Sequence, residues 1–404
     1  MPYTIIGGKE LPSSIAIDLP YSKSIVVRQL FLSYLKGKPY PPSDLGEDMV
    51  SSLVCQDIRL FDRALRELST KEDTDEVTLD CGCSATAMRF FIVLSLYRRA
   101  TTALVGSDRL LSRIEQDDLS FISQLGGECR ILHSQDSIVL TPPKGLRSCT
   151  VSAHWTSSQY LSAFALCNRY RAPQVIAEHS SSLSSSSYYH LTLELLQRGE
   201  RAHSLERDWS AAAFWYQLLA TSPTLQEISF PHLSLDSLQP DSRLSQLFQP
   251  FGLQTSEIER GIIVRKVIGK SPSFAPLVMD ISQNLDLFLP LACTAFTLGI
   301  PFTFKGIQNL RQKECNRVDS LVSTLTDYYH TSFSITPQQI SWNGHKELRS
   351  QSHYVTYPFE DHRTVMSTSM FATLLPLTTE VSNPEVVEKS YPTFFDDLSR
   401  IMGQ

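Results

Sequence analysis

Six short segments of the chain share one pattern, in which polar or charged residues stand directly before an apolar run. The leading polar residues are Ser24, Ser84, Ser158, Ser210, Asp286 and His362. A polar cap before such a run predicts a helix, and the first turn of a helix has backbone N–H groups without partners. These groups and the helix dipole attract anions. The pattern therefore predicts six helices whose starts can bind an anionic ligand.

Cations accompany several of these starts. Lys23 and Arg28 lie at the first, Arg89 at the second and Arg363 at the sixth. Guanidinium groups suit carboxylates and phosphates because their planar fork donates two parallel hydrogen bonds. The net charge of the chain is −6, which argues against a nucleic-acid partner. We expect a small anionic ligand instead.

A separate candidate for chemistry is Cys81-Gly82-Cys83. A structural zinc site needs four ligands, usually in two pairs, and no second Cys or His pair follows at a suitable spacing. A thiol–disulfide site usually has Cys-x-x-Cys. The segment therefore predicts two small buried residues at a strand end, and we expect no metal and no cofactor. The eight cysteines have no repeating spacing, which favours a reducing compartment.

The predicted helix starts are 52 to 76 residues apart, and short β-branched runs lie between them. The runs "EVTLDC", "SIVLTPP" and "GIIVRKVIG" are typical of strands. Such repetition indicates similar units that share a core. We therefore expect an α/β protein of six similar units whose buried helix starts converge on one anionic ligand.

The composition is that of a globular protein, with 404 residues, 42% of them hydrophobic and 19% charged. This length suggests two or three domains. The first residues lack a basic region followed by an apolar core, so no signal peptide is expected. The longest uncharged run, between Asp286 and Lys305, contains Pro290, Gly299 and Pro301, which is typical of a buried helix and a turn. We expect a cytoplasmic protein with no membrane partner.

Taken in order, the polar segments resemble the motifs of the 3-phosphoshikimate 1-carboxyvinyltransferase (EPSP synthase) family of enolpyruvyl transferases. Their order is the family's order, and they span essentially the whole chain. The matching segments are Lys23-Ser24 with Arg28, "DCGCSATAMR" at 80–89, "GSDRLLSR" ending at Arg113, Ser157-Ser158-Gln159, Ser185 with Tyr188, Asp286, "NLRQKECNR" at 309–317, Asp361-His362-Arg363, and Lys389.

The resemblance implies a fold of two similar domains. Each domain would contain three βαβαββ units around buried parallel helices, an inside-out α/β barrel, and two chain crossings near Leu19 and Leu205 would hinge them. The N-terminal domain, residues 20–205, would bind shikimate 3-phosphate. The C-terminal domain, residues 1–19 and 206–404, would close on phosphoenolpyruvate. The resemblance also suggests a monomer.

The implied reaction belongs to the shikimate pathway, which leads to chorismate and the aromatic amino acids. It transfers the enolpyruvyl group of phosphoenolpyruvate to the 5-hydroxyl of shikimate 3-phosphate and releases phosphate. The motifs assign shikimate 3-phosphate to Lys23, Ser24, Arg28, Ser157, Ser158, Gln159, Ser185, Tyr188, Asp286, Asn309 and Lys313. They assign phosphoenolpyruvate to Lys23, Ala85, Arg113, Gln159, Arg317, Arg363 and Lys389. Catalysis would rest on Asp286 as the base toward the hydroxyl, Glu314 at the methylene carbon, and Lys23.

Five positions depart from the family's motifs. Cys83 replaces an asparagine, Ala85 a glycine, Phe90 and Ile114 prolines, and Asn316 an aspartate. None of them carries a charge that proton transfer obviously needs. Alanine in place of the family's glycine resembles variants that tolerate glyphosate, a competitor of phosphoenolpyruvate.

Two alternative functions stay open. A UDP-N-acetylglucosamine enolpyruvyl transferase would share the architecture, but it usually carries a reactive cysteine in the loop that here reads "GSDRLLSRIEQDD". A non-catalytic descendant that only binds anions is compatible with Cys83 and Phe90. The presence of both Asp286 and Glu314 argues against that second alternative.

Overall fold

Strands of two to six residues alternate with helices along the chain in the computed structural model. The structure describes residues 2–37, 51–114, 119–152, 155, 157–178, 186–198, 206–267 and 275–403. The α-helices of these residues are α1 (Lys23–Leu35), α2 (Gln56–Ser69), α3 (Ala85–Ser95), α4 (Asp108–Leu111), α5 (Ser120–Gln124), α6 (Ser158–Tyr170), α7 (Ser186–Arg198), α8 (Trp209–Thr221), α9 (Leu244–Leu247), α10 (Phe288–Thr297), α11 (Arg317–Tyr328), α12 (His362–Ala372) and α13 (Phe394–Met402).

The strands of the described residues form six sheets. In chain order they are β1 (Tyr3–Ile6), β2 (Ser14–Ala16), β3 (Val77–Asp80), β4 (Thr102–Val105), β5 (Glu128–Leu132), β6 (Ser137–Thr141), β7 (Cys149–Ser152), β8 (Val175–Glu178), β9 (Glu227–Pro231), β10 (Leu253–Ile258), β11 (Gly261–Lys266), β12 (Leu277–Asp280), β13 (Phe302–Lys305), β14 (Tyr329–His330), β15 (Phe333–Ile335), β16 (Gln339–Trp342), β17 (Glu347–Leu348), β18 (His353–Val355) and β19 (Thr378–Val381).

Helices are present behind all six predicted polar starts, as α1, α3, α6, α8, α10 and α12. The side chain of Ser84 caps α3, Ser157 caps α6, and Asp361 caps α12, each by accepting a backbone N–H of the first turn. The cap of α8 is Asp208, two residues before the predicted Ser210. Asp286 is different, because it lies in a 3-10 turn (Leu285–Leu287) ahead of α10.

Three four-stranded sheets have the same construction. Their strand orders are β2-β9-β11-β10, β3-β4-β6-β5 and β12-β13-β16-β15. In each sheet the first two strands are parallel and the other two pairings are antiparallel. A parallel pair needs a crossover connection, which α3 and α10 provide for the second and third sheets. These sheets correspond to three of the six similar units that the sequence predicts.

The chain divides into two units. Unit A is Lys23–Leu205, and unit B is Met1–Ser22 together with Glu206–Gln404. The core of unit A includes a cluster of aromatic rings. Phe90 packs against Phe31 and Phe61 at centroid distances of 5.2 and 5.9 Å. The phenylalanine that replaces the family's proline is thus a fully buried core residue of α3.

The core of unit B is built around α8, α10 and α12, which pack against one another. Almost every residue of these three helices is buried, because each helix is covered on all sides. Within the described ranges, no helix is long and apolar enough to cross a membrane. Because they are buried along their whole length and contact one another, α8, α10 and α12 form the interior of unit B.

The chain leaves unit B after Ser22 and returns at Glu206. The two crossing segments lie side by side on unit B. Ser22 N donates to Glu206 O at 2.8 Å, and Asp208 N donates to Pro20 O at 2.9 Å. Both crossings are therefore held together as a short antiparallel pair.

Candidate active site

Unit B holds a half-buried carboxylate among cations, at the turn before α10. Asp286 Oδ1 lies 2.8 Å from Arg317 Nη1, and Oδ2 lies 2.8 Å from Arg363 Nη2. Lys313 Nζ is 4.0 Å from Oδ1. Burial raises the pKa of Asp286, but the charges of Arg363, Lys313 and Arg317 outweigh burial and hold it well below 3.8. Asp286 is therefore ionised at neutral pH.

Arg317 joins Asp286 to the start of α12. Its Nε and Nη2 donate to the two oxygens of Asp361, at 2.8 and 3.3 Å. Asp361 in turn accepts the N–H groups of Arg363 and Thr364, at 2.9 and 3.4 Å. The guanidinium is thus fixed in orientation by a buried carboxylate that also caps a helix.

Asn316 caps the helix that begins with Arg317. Its side-chain oxygen accepts from Val318 N and Asp319 N at 3.2 and 3.4 Å. Asparagine and aspartate are equally good in this role, so the departure at Asn316 leaves the helix start intact.

A second carboxylate of unit B, Glu314, lies between two basic side chains. Glu314 Oε2 is 2.7 Å from His362 Nδ1, and Oε1 is 2.9 Å from Lys389 Nζ. Burial raises the pKa of Glu314, but His362 and Lys389 lower it well below 4.5. Burial lowers the pKa of His362 and Glu314 raises it. Burial has the larger effect, so the pKa of His362 lies below 6.5. At neutral pH we therefore assign an ionised Glu314 that accepts the Nδ1–H of a neutral imidazole.

Three side chains of this region carry metal-ligand atoms that lie close together. Ligand atoms of Glu314, Asp361 and His362 lie within 4.8 Å of one another. However, both oxygens of Asp361 are bonded to Arg317, and Glu314 faces Lys389. A divalent cation would have to displace these positive charges, so the arrangement suits anions better.

Sequence reasoning missed a buried acid beside Asp286. Asp241 Oδ1 accepts from Asn284 Nδ2 at 3.1 Å, and Oδ2 accepts from the hydroxyl of Ser210. Burial and the nearby charge of Asp286 raise the pKa of Asp241 to about 6. A lone aspartate in "QPDSR" carries no sequence signal for this environment, because the burial comes from tertiary contacts.

In unit A, the start of α1 carries two of the predicted cations. Lys23 Nζ forms an ion pair with Asp57 Oδ2 at 3.0 Å. Asp57, in the first turn of α2, was not predicted as a site residue. Arg28 is only 2% exposed, and burial lowers its pKa to about 10, so it stays charged at neutral pH.

The guanidinium of Arg28 is hydrogen-bonded to three helices. Nε donates to Thr192 Oγ1 at 2.7 Å, Nη2 to Ser162 Oγ at 3.2 Å, and Nη1 to Ser24 O at 2.8 Å. Nη2 also donates to Tyr188 O at 3.1 Å. Arg28 therefore orders α1, α6 and α7, and it reaches two of the predicted site residues, Ser24 and Tyr188.

The starts of α3 and α6 are joined by Gln159. Its Oε1 accepts from Arg89 Nη1 at 2.9 Å, and its Nε2 donates to Thr86 Oγ1 at 2.7 Å. Arg89 also donates to the backbone oxygen of Arg113 at 3.3 Å. Gln159 and Arg113 are thus connected through one guanidinium, which the sequence placed at the second helix start.

The remaining predicted residues of unit A that the structure describes lie at the starts of α3 and α6 and in α7. Ser158 is buried and Ser157 is half-buried at the start of α6, and Tyr188 lies in α7. Ala85 is the first residue of α3 and is 8% exposed. Ser185 lies outside the described residues. In unit B, Asn309 lies in a 3-10 turn (Gln308–Gln312) that precedes Lys313.

The Cys-Gly-Cys segment follows β3 and only partly matches its prediction. Cys81 is buried, as expected, but Cys83 is exposed, so the prediction of two buried residues was wrong for Cys83. Gly82 has φ +52°, and this left-handed turn directs the chain away from the strand. Cys83 Sγ then lies 3.5 Å from Ser107 Oγ.

Similarity to known proteins agrees with this geometry. A sequence model described as EPSP synthase (3-phosphoshikimate 1-carboxyvinyltransferase) matches residues 196–398, just over half of the 404-residue chain. The chain belongs to the EPSP synthase family. A 3-phosphoshikimate 1-carboxyvinyltransferase of Bacteroides fragilis is 28% identical over 417 aligned residues, with 96% of each chain covered.

Two solved structures show the same fold at low sequence identity. EPSP synthase from Acinetobacter baumannii is 15% identical, has a TM-score of 0.65, and matches over 99% of this chain and 98% of its own. The enolpyruvyl transferase NikO from Streptomyces tendae is 12% identical, has a TM-score of 0.67, and matches over 99% and 97%. The fold predicted for this EPSP synthase family member, two domains of inside-out α/β type, is thereby confirmed.

Proposed function

We propose that this protein is a 3-phosphoshikimate 1-carboxyvinyltransferase. It transfers the enolpyruvyl group of phosphoenolpyruvate to the 5-hydroxyl of shikimate 3-phosphate, giving 5-enolpyruvylshikimate 3-phosphate and phosphate. The observation that carries the proposal is the group around Asp286, where a carboxylate is held ionised by Arg317 and Arg363. Membership of the family supports it.

The proposed binding residues for shikimate 3-phosphate begin with the start of α6. A helix start with Ser157 and Ser158 offers backbone N–H groups and hydroxyls to a phosphate. Arg28 already uses its donors on protein oxygens, so a substrate carboxylate would have to take over one of those bonds. The other proposed residues are Lys23, Ser24, Gln159, Ser185, Tyr188, Asp286, Asn309 and Lys313.

The proposed phosphoenolpyruvate residues are mainly cations. Arg317, Arg363 and Lys389 are each paired with Asp286 or Glu314 in the structure. Their three charges offset those of Asp286, Glu314 and Asp361, and Lys313 adds one further positive charge for a substrate with a phosphate and a carboxylate. Lys23, Ala85, Arg113 and Gln159 complete the proposed set.

The chemistry is an addition followed by an elimination. The 5-hydroxyl oxygen bonds to C2 of phosphoenolpyruvate and gives its proton to a base, while C3 gains a proton and becomes a methyl group. The bond from C2 to the phosphate oxygen then breaks, the methyl group loses a proton, and the C2–C3 double bond forms again. Two bases and one acid are needed.

The pKa directions support Asp286 and Glu314 as the two bases. Asp286 and Glu314 are both ionised, so both can accept protons. We assign the hydroxyl proton to Asp286 and the methyl proton to Glu314. The acid for C3 must be a protonated group, and Lys389 Nζ is 2.9 Å from Glu314 Oε1. Lys389 can therefore pass a proton to C3 through Glu314, while Lys23 assists as a catalytic cation.

Further features of the proposal follow from the same residues. Ala85 is proposed to confer tolerance to glyphosate, because its methyl group would press on a ligand longer than phosphoenolpyruvate. We also propose a monomer of the cytoplasm, and the eight free cysteines of the described chain suit a reducing compartment.

The test is an assay of the purified protein with shikimate 3-phosphate and phosphoenolpyruvate. Phosphate and 5-enolpyruvylshikimate 3-phosphate should form in equal amounts, the first followed colorimetrically and the second by mass spectrometry. UDP-N-acetylglucosamine replaces the acceptor in a parallel reaction. Phosphate release only with the nucleotide sugar, or with neither acceptor, would contradict the proposal.

A further inference from the structure

We infer that Gln239 is a positioning residue for the proposed reaction, because it ties the two chain crossings to the turn that carries Asp286. Gln239 precedes a 3-10 turn (Pro240–Arg243) of unit B and is 3% exposed. Gln239 belongs to none of the motifs discussed above. The partners of its side-chain hydrogen bonds are not among the predicted site residues.

The side-chain amide of Gln239 is bonded to both crossings. Its Oε1 accepts from Ser22 Oγ at 2.8 Å, on the segment that leaves unit B, and from Trp209 N at 3.1 Å. Its Nε2 donates to Arg207 O at 2.7 Å and to Glu206 Oε2 at 3.0 Å, on the segment that returns. An amide offers two donor hydrogens and two acceptor positions, so its hydrogen-bonding capacity is fully used.

The next two residues connect this clamp to the candidate site. Asn284 Nδ2 donates to Pro240 O at 3.0 Å and to Asp241 Oδ1 at 3.1 Å. Asn284 stands directly before the 3-10 turn Leu285–Leu287, which contains Asp286. The short segment 239–241 is therefore hydrogen-bonded to both chain crossings through Gln239. Through Pro240 and Asp241 it is hydrogen-bonded to Asn284, directly before the turn that contains Asp286.

The same segment also reaches α8. Asp241 accepts from Ser210, and Gln239 accepts from Trp209, so the first turn of α8 is held at two points. A base must lie within hydrogen-bond reach of the proton that it removes, and small displacements of catalytic groups cost large factors in rate. Loosening Gln239 should therefore displace Asp286 although the two side chains are not in contact.

The principal test is Gln239→Glu, which keeps the shape of the side chain. A glutamate can still accept from Ser22 and Trp209, but it cannot donate to Arg207 O or to Glu206, and it places two carboxylates together. The expected change in kcat rests on the proposed function, because it assumes transferase activity. We expect kcat to fall about tenfold or more, with smaller changes in the two KM values.

A second substitution provides rescue. In Gln239→Glu with Glu206→Gln, the amide and the carboxylate exchange places, so the hydrogen bond between them returns with reversed polarity. We expect part of the lost kcat to return in this double variant, because the bond to Glu206 is replaced while the bond to Arg207 O stays lost. Glu206→Gln alone can keep its bond to Gln239, because its amide oxygen can accept from Gln239 Nε2, and it should behave as wild type. Gln239→Met removes the side-chain hydrogen bonds of Gln239 without adding a charge, and it decides the question by the same measurements if Gln239→Glu does not fold.

The matched control is Gln217→Glu. Gln217 is also a buried glutamine of unit B; it donates to Ser367 O at 2.9 Å and accepts from Ser367 Oγ at 2.7 Å. It has no hydrogen bond to either crossing among those of its side chain. We expect it to lower the thermal midpoint by a similar amount with kcat within about twofold of wild type.

Hydrogen exchange gives a reading that does not depend on activity. In Gln239→Glu, peptides that contain residues 284–287 should exchange faster than in wild type and in Gln217→Glu. Unchanged exchange there, or a kcat within twofold of wild type for the folded variant, would overturn the inference. If wild type lacks transferase activity, the proposed function fails, and the exchange measurement alone decides the role of Gln239.

Discussion

Arg317 Nη1 lies 2.8 Å from Asp286 Oδ1, and the remainder of the same guanidinium is bonded to a helix cap. This pair is held from both sides, because Arg317 begins a capped helix and cannot turn away from the carboxylate. A substrate carboxylate or phosphate that approaches Arg317 therefore meets a cation whose orientation is already set. Preorganised charge of this kind is what lowers the barrier for reactions with developing charge.

The first prediction concerns Asp286 as the base. Asp286→Asn keeps the size of the side chain but removes the proton acceptor, so turnover should fall about 10²-fold or more while shikimate 3-phosphate binding changes little. Steady-state kinetics and calorimetry measure the two quantities. Asp396→Asn, at an exposed aspartate in the first turn of α13, is the control and should behave as wild type. Turnover within a few-fold of wild type would exclude Asp286 as the base.

The second prediction concerns the charge that keeps Asp286 ionised. Burial alone would raise the pKa of Asp286, and among its neighbours Arg363 lowers it most. In Arg363→Met the pKa of Asp286 should therefore rise. Because the base must be ionised, kcat at saturating substrate should begin to fall at a higher pH than in wild type. The pH dependence of kcat measures this, and an acid limb that does not move would contradict the assigned cause.

Local sequence was enough to predict the helix starts. Ser84, Ser157 and Asp361 cap helices through bonds to residues two or three positions away, so their role depends on neighbours in the chain. The limit of such reasoning is visible at Asp286, which precedes its helix in a 3-10 turn. Local pattern could place this aspartate near a helix start, but it could not show which cations surround it.

The positions that sequence reasoning missed depend on distant contacts. Gln239 bonds to Ser22 across 217 positions of the chain, and Asp57 bonds to Lys23 across 34. Nothing in "LQPDS" or "CQDIR" distinguishes these residues from ordinary polar ones. Cys83 was misjudged for a different, local reason, because it follows the left-handed turn at Gly82 and is exposed.

The third prediction concerns the buried acid Asp241. Its pKa is raised from 3.8 to about 6, so the ionised form costs stability in the folded protein at pH 7. Below about pH 6 the folded protein binds a proton that the unfolded chain does not bind until about pH 4. This group therefore makes the protein more stable as pH falls through that window, by up to roughly 3 kcal/mol.

Asp241→Asn removes this titration and should be checked by urea unfolding at pH 7 and pH 4.5. The unfolding free energy of the variant minus that of wild type should be larger at pH 7 than at pH 4.5. Asp286 and Glu314 have pKa values well below their ordinary ones, so they contribute little change in this window. A difference that is the same at both pH values would show that Asp241 does not titrate there.

The fourth prediction concerns Ala85, at the buried start of α3. One methyl group in a packed site costs about 1–3 kcal/mol against a ligand that reaches it, or roughly 5- to 150-fold in affinity. Wild type should therefore tolerate glyphosate, and Ala85→Gly should become sensitive. The measurement is the inhibition constant against phosphoenolpyruvate in both proteins. Equal and low constants would leave Ala85 as a neutral small residue.

The enclosure of α8, α10 and α12 has a consequence for how the sequence can vary. An amphipathic helix such as α2 tolerates change on its solvent side, so accepted substitutions recur every three to four positions. The three enclosed helices have almost no such side. In a saturation mutagenesis screen, their accepted substitutions should be small, apolar and without helical period. Substitutions should therefore be accepted mainly in the sheets and loops of unit B. A substitution in one interior helix should need a compensating substitution in another.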